Sequence, residues 1–288
     1  MIDNLTPEKE HELKILSLEV QMLIIEMLAE AGSGHPGGSL GMSDIFTAMY
    51  FHVLRKKPEE PLWPDRDRLV LSNGHICPVL YACLAKAGYF PMEWLKTLRK
   101  IDSHLQGHPH RGTTPGIENT SGPLGEGLSQ SIGMALAAKL DKKDFQIYCM
   151  TSDGEHQEGN TWEAIMLAPK YNLDNLTVVM DRNMIQIDGN TEKVLPLEVL
   201  RQKYESFNWN VYEIDGHDIS AYVQALQSAR NVKGKPTCIL AHTIPGKNVS
   251  FMENNYLWHG KAPSKDEAAK ALGELQIVLD KLKNNVKS

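Results

Sequence analysis

The stretch that most constrains this chain is residues 149–189, CMTSDGEHQEGNTWEAIMLAPKYNLDNLTVVMDRNMIQIDG. It reads as a short apolar strand ending in Ser152-Asp153-Gly154, a polar turn, a helix over about 160–171, a second strand over 176–180 and a turn carrying Asn183. Asp153 and Asn183 then fall at the exits of two neighbouring strands. In an open parallel sheet, ligands bind in the crevice outside the carboxyl ends of the strands. A carboxylate, an amide oxygen and a main-chain carbonyl just beyond are hard donors. They suit Mg²⁺ or Ca²⁺ holding a diphosphate, because such an ion takes few protein ligands and completes its shell with phosphate oxygens and water. Gly154 lets the backbone approach the phosphates. The same residues also fit a plain strand-helix-strand unit in which Asp and Asn only shape turns.

The chain has 288 residues, enough for one large α/β domain or two smaller ones. A net charge of -6 argues against a general affinity for nucleic acid. Cys77, Cys83, Cys149 and Cys238 contain no C-x-x-C pair, and buried free thiols in a reducing cytoplasm are expected. The polar, acidic N-terminus lacks the order of a signal peptide. The longest apolar run, near residues 20–29, is interrupted by Gln21 and Glu26, so no membrane span is expected.

Thr6-Pro7-Glu8 is a helix start, followed by Leu13, Leu16, Val20, Leu23, Ile24, Met27 and Leu28 at helical spacing up to Gly32. A loop rich in glycine (Gly32, Gly34, Gly37, Gly38, Gly41) and carrying His35 comes next, leading into a helix near Ser43. Ordering such a loop is costly, which implies that something packs against its backbone. A strand over 69–71 ends in a turn bearing His75, a helix follows over 78–88, and 91–100 is helical again. The segment 101–127 is a long Gly-, Pro- and His-bearing loop of the kind that carries function. A helix over 128–140 precedes the central unit, and a loop then a helix over 193–207 follows it. After that come a strand over 211–214, a helix over 219–232, a strand over 237–241 and a second polar loop with Trp258 and His259. A C-terminal helix over about 264–283 and a frayed basic tail close the chain. Strands alternating with helices predict an α/β fold: a doubly wound, mainly parallel sheet with helices on both faces, in a single domain spanning 1–288.

His35, His75, His108 and His259 lie in glycine-bearing or polar loops. Imidazole titrates near neutrality and both donates and accepts, as proton movement on a polyhydroxylated substrate requires. Each alone also fits a turn or surface histidine. His104, His108 and His110 lack the cysteines or carboxylates that would accompany them in a zinc cluster.

Taken together, SGHPG at 33–37, DRDRLVLSNGH at 65–75, GHP at 107–109, TSGPLGEG at 120–127, SDG with Asn183, EIDGHD at 213–218 and WHGKAP at 258–263 resemble, in order, the N-terminal, diphosphate-binding half of transketolase. Ser152 stands where the thiamine diphosphate motif usually opens on glycine. The segment PGKNVSFMEN is more similar to the split form of the enzyme, with Asn248 where that form more often has glycine.

The resemblance implies thiamine diphosphate and Mg²⁺ (or Ca²⁺ or Mn²⁺) as cofactors, with Asp153, Asn183 and the carbonyl of Ile185 as metal ligands. It places Gly154 and His75 near the diphosphate and Gly122, Pro123 and Leu124 as the backbone segment approaching the cofactor. It sets His35, His108 and His259 against the sugar hydroxyls, and makes Glu158 a buried glutamate at the contact between active sites. The family continues into a pyrimidine-binding domain, whose glutamate activates the cofactor, and a C-terminal domain. The implied protein is therefore the N-terminal subunit of a two-chain transketolase. It would be active with a C-terminal subunit, two of each chain, and would pass a two-carbon ketol unit from a ketose (phosphate) to an aldose (phosphate) in pentose phosphate metabolism. Rival readings are half of a 2-oxo-acid dehydrogenase first component, half of a 1-deoxyxylulose-5-phosphate synthase-like enzyme, or a non-catalytic module. SGHPG and the several histidines favour transketolase, and intact Asp153 and Asn183 argue against a degenerate module.

Overall fold

The computed structural model describes residues 2–284; the tail expected after the last helix lies outside the described residues. Its main sheet has five strands, β1 (Arg68–Leu71), β2 (Ile147–Ser152), β3 (Leu176–Arg182), β6 (Asn210–Asp215) and β7 (Thr237–His242), ordered β1-β2-β3-β7-β6. Every pairing is parallel. A small antiparallel hairpin, β4 (Ile185–Gln186) with β5 (Gly189–Asn190), follows β3 in the chain. All residues of β2 and β3 are buried, as central strands covered on both faces require.

Alternate residues of each strand point to opposite faces, and the core divides accordingly. Tyr148, Met150, Val179, Ile239 and Ala241 face one cluster, formed with α1 (Pro7–Ala31), α3 (Ser43–Ala48), α4 (Cys77–Lys86), α9 (Ile219–Asn231) and α10 (Lys265–Asn284). Ile147, Cys149, Val178, Met180, Cys238 and Leu240 face the other, under α5 (Glu126–Leu140), α6 (Gly159–Lys170) and α8 (Leu200–Ser206). A one-turn helix, α7 (Thr191–Val194), links the hairpin to the segment before α8. Helices on both faces of a parallel sheet match the expected class. All four cysteines are buried and free.

The first helix begins and ends as its sequence dictates. Thr6 Oγ1 accepts from the Lys9 amide at 3.2 Å, and Gly32, at φ 65°, donates to the Leu28 carbonyl at 2.9 Å.

The glycine-rich segment differs from expectation. Residues Pro36–Gly41 form a short helix, α2, and after α3 the chain continues as a π-helical turn, Met49–Val53. Glycine disfavours helix by about 1 kcal/mol per residue, but close backbone packing decides here. A Cβ on Gly37 would lie 3.1 Å from the Trp258 carbonyl oxygen, and one on Gly41 would lie 3.0 Å from that of Ile244. Proline at the first helical position starts the turn. Asn248 also finds a reason: its φ is 68°, the left-handed region that asparagine tolerates best after glycine, and its Nδ2 donates to Gln21 Oε1 at 3.0 Å.

Candidate active site

The exits of β2 and β3 are level. Ser152 pairs with Asp181, and the Asp153 amide donates to the Asp181 carbonyl at 3.2 Å. A cleft of about 360 Å³ opens beyond these exits, walled by Ser152, Gly154, Asn183 and Ile185 on the sheet side and by His35, His75, His108 and His259 opposite.

The four histidines come from four separate segments. His35 precedes α2, His75 sits in a 3₁₀ turn after β1, His108 lies in the long loop, and His259 follows a 3₁₀ turn at Tyr256–Trp258. Ring centroids are 5.2 Å apart for His35 and His75, 5.7 Å for His35 and His259, 5.1 Å for His75 and His259, and 6.5 Å for His35 and His108. Burial pushes His35 down to about 4, helped by His259, Arg99 and His108. Burial first, then the neighbouring rings, puts His75 well below its ordinary value. His108 is lowered by burial and by Arg99, and His259 by burial. All four are neutral near pH 7, the state in which an imidazole both donates and accepts. His35 Nδ1 is buried without a hydrogen-bond partner among the described residues.

Asp153 is fully buried just under the cleft wall, between Ser152 and Gly154, which line it. Its Oδ1 accepts from the Gly154 amide at 2.8 Å; Oδ2 accepts from the Met184 amide at 2.6 Å and Arg182 Nη1 at 3.1 Å. Burial pushes this carboxyl up to about 6, opposed by Arg182 and the two amides. Asn183 is oriented from both ends: Nδ2 donates to Asp181 Oδ2 at 2.8 Å, and Oδ1 accepts from the Ile185 amide at 2.9 Å. Asp181 is held in turn by the Thr243 hydroxyl.

Among the described residues no group of three or more His, Cys, Asp or Glu is arranged to hold a metal. The donors gathered here are instead a carboxylate, an amide oxygen and the main chain at Ile185, an all-oxygen set that fits a hard divalent cation. The wall beside them is bare backbone. Gly122 has φ 154°, with the His108 ring 3.9 Å from where its Cβ would be, and a Cβ on Gly154 would lie 3.1 Å from that of Gln186. These features fit a diphosphate with its metal.

Two expected site residues sit differently. Pro123 is exposed and off the cleft wall, whereas Gly122 and Leu124 line it. Glu158, expected to be buried, is exposed in this chain. It precedes the first turn of α6 on the cleft rim. The histidines at 104 and 110 do not join His108: His104 stacks on Trp94 at 4.3 Å, and His110 is exposed. His217, from the EIDGHD motif, is architectural. It bonds Asp44 Oδ2 at 2.9 Å and accepts from the Ile244 amide at 2.9 Å.

Reading the sequence alone missed several residues. Gln157, Gln186, Ile187 and Asp188 also line the cleft. Glu155, wholly buried, accepts from the Gly125 amide at 2.5 Å, the Ser152 amide at 3.3 Å and the Ser72 hydroxyl. It thereby ties the Gly122 segment to the exits of β1 and β2, and burial pushes its carboxyl up to about 7. No local signal marked it, because all its partners except Ser152 are distant in sequence.

Residues 14–277 match the family described as transketolase, thiamine diphosphate binding domain. The chain is 41% identical over 269 residues to a 6-deoxy-6-sulfo-D-fructose transketolase subunit of Clostridium sp. (strain MSTE9), covering 93% of this chain and 98% of that one. It is 40% identical over 267 residues to an apulose-4-phosphate transketolase subunit of Actinobacillus succinogenes, covering 93% and 96%. Transketolase from Leishmania mexicana superposes with a TM-score of 0.84 at 32% identity, over 96% of this chain and 45% of that one. A transketolase mutant from Pichia stipitis gives 0.86 at 31% identity, over 95% and 46%. The chain thus spans a little under half the length of these solved transketolases. With one family matched along most of its length and the same fold beneath it, the chain belongs to the transketolase N-terminal, thiamine diphosphate-binding domain family.

Proposed function

We propose that this chain is the N-terminal subunit of a two-polypeptide transketolase, transferring a two-carbon ketol unit from a ketose to an aldose. The carrying observation is the meeting, in one cleft, of hard oxygen donors at two strand exits with four neutral histidines. Similarity along 93% of the chain to relatives named as transketolase subunits, at 41% and 40% identity, supports the two-chain form.

Asp153, Asn183 and the Ile185 carbonyl would hold Mg²⁺, or Ca²⁺ or Mn²⁺ in its place. Gly154 and His75 would flank the diphosphate, and the main chain at Gly122, Pro123 and Leu124 would lie along the cofactor. Thiamine diphosphate, when bound, supplies the carbon nucleophile and electron sink that carbon-carbon bond transfer needs. His35, His108 and His259 bind the sugar hydroxyls and move protons at their oxygens, work typically worth about 10²- to 10⁴-fold. Glu158, exposed here, becomes buried against a neighbouring subunit in an assembly with two copies of each chain.

We read residues 1–288 as one diphosphate-binding domain. The pyrimidine-binding domain with its glutamate comes from the second chain. The sugar is phosphorylated, sulfonated or neither. No described helix is long and apolar enough to cross a membrane, and four buried free thiols support a cytoplasmic setting.

The test is ketol transfer by the purified chain with and without its candidate partner. Activity is expected only in the mixture; full activity of this chain alone overturns the two-chain reading.

A further inference from the structure

Arg182 ends β3, next to Asn183, and its side chain is only 1% exposed. A buried guanidinium is costly unless paired, and this one meets three carboxylates. Nη1 is 3.1 Å from Asp153 Oδ2, while Nη2 is 2.8 Å from Glu192 Oε1 and 2.7 Å from Glu198 Oε1. Nη1 also donates to Thr191 Oγ1 at 3.0 Å. Strand alternation explains the direction: Asp181 turns toward Thr243 and Asn183, so Arg182 turns the other way, to Asp153.

An ionised carboxylate offers about four lone-pair sites. At Asp153, Oδ2 is filled by Arg182 and by the Met184 amide, whereas Oδ1, among the described residues, accepts only from the Gly154 amide. The spare capacity is therefore on Oδ1. At its other end the guanidinium grips Glu192 and Glu198, and Glu192 in turn accepts from the Leu197 and Glu198 amides. The same fork thus spans from the strand exit to the 191–198 segment.

We propose that Arg182 is a positioning residue that fixes Asp153 through Oδ2, so that Oδ1 is the oxygen offered to the divalent cation. The inference rests on Asp153 being a cation ligand, as proposed above. A planar fork bonds Asp153, Thr191 and both glutamates at once, and a lysine cannot. Losing a group that orients a metal ligand typically weakens metal affinity about 10- to 100-fold.

The test is a titration of the full chain, assembled with its candidate partner, with Mn²⁺ in saturating thiamine diphosphate, with free Mn²⁺ read by electron paramagnetic resonance and folding checked by thermal unfolding. Wild type is expected to bind and Asp153→Asn to lose binding. Arg182→Gln is expected to weaken Mn²⁺ about 10- to 100-fold, with Arg182→Lys in between. Glu198→Gln breaks a half-exposed ion pair without touching Asp153, so it should stay within about threefold of wild type. If both Arg182 variants bind like wild type while Asp153→Asn does not, the role of Arg182 is overturned and the cation site stands. If Glu198→Gln loses as much as Arg182→Gln, the effect belongs to the ion network as a whole and the proposal also fails. Should Arg182→Gln not fold, Arg182→Lys against Glu198→Gln decides. Wild type failing to bind, or Asp153→Asn binding normally, sinks the cation site and this inference together.

Discussion

The rings of His35 and His75 meet edge to face, 5.2 Å between centroids and 61° between planes. One precedes α2 and the other follows β1, so neither is placed by its own neighbours in sequence. Two imidazoles this close and this buried cannot both carry protons at modest cost, and each is held neutral well below its ordinary range.

Histidine titrations followed by NMR should therefore show His35 unprotonated at pH 6, with a midpoint near 4. His156, buried between the Ser152 carbonyl at 2.7 Å and the Tyr204 hydroxyl at 2.6 Å, is also pushed down to about 4. A depressed histidine contributes stability in full above its unfolded value of about 6.5, and that contribution is lost as pH falls toward 4. For His156 the loss is roughly 3 kcal/mol, measurable as a pH-dependent difference in unfolding free energy between wild type and His156→Gln. Total stability should track acid less simply. Glu155 and Asp181, both raised to about 7 by burial, contribute stability that is lost as pH rises through that value, the opposite sign in an overlapping window.

With the second chain present, His35→Ala and His259→Ala should lower kcat by about 10²-fold or more. Binding of thiamine diphosphate, measured by calorimetry, should be unchanged. Equal losses in both measurements would reassign these rings to holding the cofactor.

Gly127→Ala should destabilise the fold even though alanine is the better helix former by about 1 kcal/mol. A Cβ there would lie 2.5 Å from Ser72 Cβ and 2.6 Å from Ser72 Cα, and the Gly127 amide already donates to Ser72 Oγ at 3.0 Å. Backbone at a strand exit has little room to retreat, so an overpacking cost of about 1 to 3 kcal/mol outweighs the propensity gain. Denaturant unfolding reads the sign directly.

Glu118→Ala should cost about 3 to 5 kcal/mol. Glu118 binds Arg66 through two oxygens, at 2.6 and 2.8 Å, with both side chains buried. Its loss strands a buried guanidinium. Next to it, Asn119 pairs with the Leu71 main chain in both directions, at 3.0 and 3.2 Å, covering the edge of β1. Amide hydrogen exchange in residues 101–125 should accelerate in the variant along with the fall in unfolding temperature.

Local pattern carried the elements well. The strands expected over 176–180 and 237–241 are legible as short apolar runs, extending in the structure to Arg182 and His242, and α1 from its Thr-Pro start and glycine stop. The glycine-rich segment was not, because residues that disfavour helix were chosen for close approach to Trp258 and Ile244, partners more than two hundred positions away. Glu158 is exposed where burial was expected, since the resemblance that implied burial is not a property of its neighbours in sequence.

By itself the sequence determined the alternation of strands and helices, and so a parallel sheet whose carboxyl edge carries Asp153 and Asn183, because period and turn chemistry are local properties. Tertiary structure alone decided which distant groups meet there. Four histidines share one cleft, Glu155 joins three chain segments and Arg182 grips the Asp153 carboxylate from below. Burial then fixes their protonation, since a charge is expensive wherever folding removes water, and no stretch of residues read in order says where that will be.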